Sequence, residues 1–263
     1  NTGTGVNTAF TTGYNILYKN CEWNNFDTGG STNTLISSIS AVAQKLSIIN
    51  CTFTNINGYC INSASSNVNI ESCHFYNSGA KTINVCYYIS GTLKPVIASN
   101  IFNLTSTSKG VYAISTNGIY ARGNTFFTSG TGTAIENPNY NYGSIIEDNI
   151  FEGWGKAIDF GNLTSYMGHS LSNNHFYDNT TDVDTTTNKT FMINDGNFLS
   201  ASGTVLAKSG SNTHANRAIY FAPTGDAIGG AADGIHDIGA MPAIASGGGG
   251  GLITAGRMTG GMQ

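Results

Sequence analysis

Glu136 and Asp159 are the residues whose placement first invites a chemical reading. Each closes a four-residue segment of the same shape, Thr133-Ala-Ile-Glu136 and Lys156-Ala-Ile-Asp159. If the two segments are equivalent strands of adjacent turns, their carboxylates lie about 5 Å apart, the spacing of neighbouring strands. A separation of about 5–5.5 Å suits a retaining glycosidase, with one carboxylate as nucleophile and the other as acid and then base. Two like charges so close would raise the pKa of one of them. The plainer expectation is a pair of solvated carboxylates on an outer face. The same column is expected to hold Asn62 and Ser115.

Other titratable groups are placed by the same reasoning. Arg122 and Glu147 each stand four residues before an aromatic residue, so they should stack as an ion pair, with Glu71 further along the column. A surface pair of this kind is worth ~0–1 kcal/mol, and a lyase-type arginine is the functional alternative. His74 and His175 should point outward, too many turns apart to share a metal. His169 falls near a corner, and His214 and His236 have no evident partner. Asp182 and Asp184 are close in sequence but fall short of the oxygen shell calcium needs. No Cys/His zinc spacing occurs, so no metal and no cofactor is expected. Tyr140, Tyr142 and Trp154, together with Tyr87 and Tyr88, fall outside the inward columns. Their ring faces suit stacking on sugars, and packing at corners is the competing reading.

These residues need a scaffold that repeats. One pattern does so: an apolar strand, Cys or Asn, any residue, then an aromatic. It ends at Trp23, Phe53, Phe75, Phe102, Phe126, Phe151 and Phe176, a period of roughly 25 residues. Alternating β-branched segments precede most copies, and a second short strand follows. Asn-Gly and Ser-Gly mark the corners. A unit this short cannot bury its apolar face alone, but stacked units can. The aromatics, and the Cys or Asn residues before them, should then form columns. A buried Asn column satisfies itself by amide-to-amide bonding between turns. Cys21, Cys51 and Cys73 take the Asn position in the first three turns and should be buried free thiols.

The Asn-x-Phe turn, repeated over roughly residues 14–198, resembles that of the right-handed parallel β-helix of the pectin-lyase-like superfamily. The resemblance implies an all-β solenoid of about 7–9 coils with no substantial helix. Residues 1–240 would form one domain, with clear repeats over 14–198 and irregular terminal coils over 199–240, followed by a Gly-rich tail, 241–263. Asp237-Ile-Gly-Ala240 is similar to a short closing motif at the end of some secreted β-helix proteins. Resemblance to the superfamily's polysaccharide hydrolases would imply Asn-Thr-Asp, Asp-Asp and His-Gly segments. Resemblance to its pectate lyases would imply an Asp cluster beside Arg-x-Pro-x-x-Arg. None of these occurs in the sequence. The resemblance is closer to the superfamily's non-catalytic surface or phage structural members.

Composition points the same way. Charged residues are only 10% of the 263, the net charge is -4, and the 11 basic residues form no run. A nucleic-acid binder needs a basic stripe, so none is expected as a partner. No apolar run is long enough to span a membrane. The expected function is a structural or binding rod outside the cell or on a virion, in a decoration, fibre or adhesion role. The alternatives are a polysaccharide lyase or glycoside hydrolase, and a carbohydrate-binding module. The apolar residues Leu252, Ile253, Met258 and Met262 follow five glycines, Gly247–Gly251. A tethered apolar tail of this kind is expected to dock on another chain, giving a homo-oligomer or larger assembly.

Overall fold

The computed structural model describes residues 15–25, 34–38, 45–63, 67–76, 81–86, 94–105, 107–114, 118–137, 143–161, 168–184, 192–195, 197, 203–208, 212, 220–224 and 239–240. The fold is a parallel β-helix built from three sheets. The first sheet stacks eight strands, Ile16–Lys19, Lys45–Ile49, Asn67–Glu71, Val96–Ala98, Tyr120–Arg122, Ile145–Glu147, His169–Ser172 and Met192–Asp195. The second stacks Glu22–Asn24, Thr52–Thr54, His74–Tyr76, Ile101–Leu104, Thr125–Thr128, Ile150–Glu152 and His175–Tyr177. The third stacks Thr34–Ser38, Tyr59–Ser63, Lys81–Cys86, Lys109–Ile114, Thr133–Glu136, Lys156–Asp159 and Thr181–Asp184. Successive strands of the chain go to different sheets, so each rung of the helix takes one strand from each.

In-register parallel pairing places equivalent residues directly above one another, and that decides the interior. Phe53, Phe75, Phe102, Phe126, Phe151 and Phe176 are fully buried, each stacked on the next with centroids 4.5–5.0 Å apart. Trp23 extends the stack at 4.8 Å from Phe53. The other two sheets supply aliphatic columns: Ile48, Ile70, Ile97, Ala121, Ile146 and Leu171 from the first, and Ile61, Val111, Ile135 and Ile158 among others from the third.

The corner between the first and second sheets explains the Asn-x-Phe signature. A left-handed residue turns the chain there, at Asn20, Asn50, Ser72, Ser99, Gly123, Asp148 and Asn173. The residue after it points inward. From Asn100 onward that residue is Asn, and its side chain is fully used. Asn124 Nδ2 donates to Asn149 Oδ1 at 2.9 Å and to the Ile97 carbonyl at 2.8 Å. Its own Oδ1 accepts from the Asn100 backbone N–H and from Asn100 Nδ2, both at 3.0 Å. The ladder runs on through Asn174 to Asn197. Burying an amide without such partners would cost ~1–3 kcal/mol per orphaned group. Cys21, Cys51 and Cys73 hold the same position in the first three rungs. They are free thiols, as expected, although Cys21 is only half-buried. The Cys86 side chain lies outside the described residues.

The described part of 199–240 does not continue the stack as terminal coils. It lies instead against the outer face of the second sheet. Leu206 bridges Pro223 antiparallel. Val205, Leu206 and Phe221 bury against Ile101 and Ile150, and Tyr220 and Phe221 pack edge-on against Phe127. The physical reason is that Ile101, Phe127 and Ile150 make this outer face apolar, and apolar area gains ~25 cal/mol per Å² on being covered. Within Asp237-Ile-Gly-Ala, Gly239 has a φ of +100°. A Cβ there would stand 2.7 Å from Ile150 Cδ1 and 2.9 Å from Thr125 Oγ1, so only glycine fits. Ala240 N–H donates to Thr125 Oγ1 at 3.0 Å. The tail 241–263, with Leu252, Ile253, Met258 and Met262, lies outside the described residues.

Candidate functional site

The outer face of the third sheet carries two adjacent columns of polar residues. One runs Lys109, Thr133, Lys156, Thr181; the other runs Tyr112, Glu136, Asp159, Asp184. The columns share a face because each strand buries two consecutive residues between them, Ala134-Ile135 and Ala157-Ile158. Glu136 and Asp159 are therefore register partners, as the repeat predicts. The expected place of Ser115 in this column is taken by Tyr112, which pairs with Glu136. Val111, and not Ile114, holds the core position opposite Ile135. Asn62 does belong to the column, one strand beyond Asn84.

Lysines answer the carboxylates. Lys109 Nζ lies 2.6 Å from Glu136 Oε2. Lys156 Nζ lies 2.8 Å from Asp159 Oδ2 and 2.7 Å from Asp184 Oδ2. Asp159 Oδ1 accepts the Gly161 N–H at 2.8 Å, so both of its oxygens are engaged. Hydrogen bonds to Asp159 and then Asp184 raise the Lys156 pKa further above the ordinary lysine value. The Lys109 ammonium also sits 4.4 Å from the Tyr112 ring centroid. A glycosidase pair needs one carboxyl that can hold and release a proton and another free to attack. Here each carboxylate accepts from a lysine ammonium.

On the first sheet the predicted Arg122–Glu147 pair is formed, with Nε 3.6 Å from Glu147 Oε1 and 3.3 Å from Asp148 Oδ2. Tyr120 donates its hydroxyl to the same Glu147 oxygen at 2.5 Å. Glu71 is separated from Arg122 by the strand bearing Ala98. The constellation is an ion pair braced by a phenol.

Trp154 is corrected. Expected on the surface, it is 1% exposed and belongs to the core at the corner between the second and third sheets. Its backbone N–H is capped by Asn179 Oδ1 at 2.9 Å. A bulky apolar ring at an inward corner position fills space between rungs, so it is not available to stack on a sugar. Tyr140 and Tyr142, like Tyr87 and Tyr88, lie outside the described residues. His74 and His175 face outward from the second sheet as predicted, yet both are buried at 3% exposure. His169 is also buried, its Nδ1 accepting the Ser144 N–H at 3.1 Å. Burial, with the Lys94 charge adding, lowers its pKa to about 4. Asp182 accepts from Asn179 Nδ2 at 3.1 Å while Asp184 faces Lys156, so the two do not converge. Among the described residues no group of three or more His, Cys, Asp or Glu is arranged to hold a metal ion. No helix among them is long and apolar enough to cross a membrane.

Sequence reasoning missed the lysine partners and one further ion pair. Lys208, from the segment outside the repeats, reaches Glu152 of the second sheet, and Thr204 Oγ1 donates to the same carboxylate at 2.6 Å. The Lys109 and Lys156 signal was present, since both sit three residues before the acidic column. No periodicity marks Lys208. Compared with protein-family models, curated proteins and solved structures, the chain matches none.

Proposed function

We propose that the chain is a non-catalytic structural or binding β-helix protein, displayed outside the cell or on a virion surface and assembling with itself or with a larger particle. One observation carries this reading: Glu136 and Asp159, the best-placed carboxylate pair, are each held by a lysine ammonium. The low charged fraction of the sequence, 10%, adds support, because a neutral amide- and hydroxyl-rich surface suits packing against other protein or polymer. The contact with a neighbour is assigned to Leu252, Ile253, Met258 and Met262, beyond the glycine run.

The test compares the full chain with a chain ending at residue 246, by light scattering and circular dichroism. The shortened chain is expected to keep its β-helix and to lose mass as an assembly. Unchanged assembly would remove the tail from the interface. In parallel, both chains are incubated with a panel of polysaccharides. Cleavage that is abolished in Glu136→Gln or Asp159→Asn would replace this reading with a glycoside hydrolase or lyase.

A further inference from the structure

The first three rungs carry a column that the later rungs lack. Cys21, Cys51 and Cys73 occupy equivalent positions, because Thr52 N–H bonds to the Cys21 carbonyl and His74 N–H to the Cys51 carbonyl, each at 2.9 Å. The flanking residues Glu22, Thr52 and His74 are in register. The Cys21 thiol donates to the Lys19 carbonyl at 3.5 Å and the Cys51 thiol to the Ile49 carbonyl at 3.3 Å. The three differ in access and in freedom. Cys21 is half-buried, in the first rung. Cys51 is 1% exposed. Cys73 is buried and clamped, its N–H bonded to Asn100 Oδ1 at 2.8 Å and its thiol directed at the Ile48 and Glu71 carbonyls.

We infer that Cys21 and Cys51 form a thiol–disulfide exchange site for a small soluble disulfide of the glutathione type, Cys21 taking the first attack and Cys51 resolving it. The Cys21 thiolate attacks one sulfur of the reagent; the reagent S–S bond breaks and one glutathione thiolate leaves. The Cys51 thiolate then attacks the Cys21 sulfur of the mixed disulfide, and the second glutathione thiolate leaves with the bond's electron pair. Both cysteines are oxidised to one disulfide, the reagent is reduced to two thiols, and the two cysteine protons pass to the departing thiolates.

The geometry selects this pair over Cys51–Cys73. Adjacent parallel strands hold equivalent Cα atoms about 4.8 Å apart, inside the disulfide range of ~4.4–6.8 Å. Equivalent Cβ atoms are nearly as far apart, just beyond the ~3.5–4.5 Å a disulfide uses. One rung must therefore shift by a fraction of an ångström. Beside Cys21 and Cys51 the rungs are joined by the exposed Asn50–Asn20 amide bond at 2.8 Å, whereas Cys73 is fixed by the buried ladder through Asn100. The strain left behind makes the bond readily reducible. Burial pushes the Cys21 thiol up from its ordinary value, while the neighbouring Cys73 thiol lowers that of Cys51, so the lowered pKa assists the resolving attack of Cys51 and not the first attack.

The full chain is treated with oxidised glutathione, and non-reduced peptides are mapped by mass spectrometry. The wild type is expected to give a Cys21–Cys51 link with loss of the glutathione adduct, reversed by a small dithiol. Cys51→Ser is expected to stop at a stable adduct on Cys21, while Cys73→Ser still bridges. A wild-type map showing a persistent Cys21 adduct, a Cys51–Cys73 link or no reaction at Cys21 overturns the inference, whether or not the variants fold.

Discussion

Phe126 shows what one residue contributes to this fold. Its ring lies between Phe102 and Phe151 at 4.5 and 4.9 Å, nearly parallel to both. Truncating it removes two stacking partners at once and leaves a cavity that in-register neighbours cannot collapse into. Phe126→Ala should therefore cost ~3–5 kcal/mol in denaturant unfolding, and a loss below about 1 kcal/mol would place the ring outside the column. His169 gives a second single-residue test, through pH. Its folded pKa is about 4 against 6.5 for the free side chain. Between those values the unfolded chain binds more protons, so stability rises with pH across the window and is lost as pH falls through it. The effect is at most about 3 kcal/mol. Urea midpoints measured from pH 7 down to pH 4 should fall in the wild type. They should fall less in His169→Asn, whose Oδ1 replaces the acceptor facing Ser144. Equal slopes would show that His169 does not carry the effect.

Between elements, the two faces of the rod use charge differently. Lys109 and Glu136 meet on a solvated face, with side chains 28% and 15% exposed, so water screens their attraction. Lys208 meets a Glu152 that is nearly sealed under the outer segment, at 3% exposure. Removing one partner from a buried pair leaves a charge stranded. Lys208 is itself 34% exposed and Thr204 still donates to Glu152, so Lys208→Ala should lower stability by ~1–3 kcal/mol, while Lys109→Ala costs ~1 kcal/mol or less. Similar losses in parallel melts would mean that the outer segment does not seal Glu152. This contrast also marks how far the sequence could be read. The repeat placed Glu136 beside Asp159 and Arg122 beside Glu147 because in-register stacking turns sequence period directly into contact. It misplaced Ser115, where Tyr112-Ala-Ile imitates Thr133-Ala-Ile three residues out of step. It missed the exposure of Trp154, because a corner residue has no alternation to say which way it points. It missed the Lys208 contact entirely, since that segment packs by apolar complementarity to Ile101, Phe127 and Ile150 and obeys no period.

As a whole molecule, the β-helix is a line of rungs, each touching only its neighbours. Its strength along that line is set by what joins one rung to the next. The Phe stack is nearly uniform from Phe53 to Phe176, but the amide ladder is not: it begins at Asn100 and ends at Asn197. Each ladder Asn gives two hydrogens to the next rung, from its N–H and its Nδ2, and takes two from the rung before, so every link there depends on its successor being in place. Below Asn100 thiols stand in for the buried amides, and the amide pairs that join those rungs, Asn50 to Asn20 and Asn55 to Asn25, are exposed to water. The rod therefore behaves like a zipper closed firmly over one half of its length and loosely over the other. Fraying should start at the Cys rungs and travel toward the Asn rungs. Native-state hydrogen exchange should show this order, with the amides of Thr52 and His74 opening before those of Thr125 and Ile150. Replacing Asn149 by Ala should break the firm half in two and let the rungs on either side exchange as separate units.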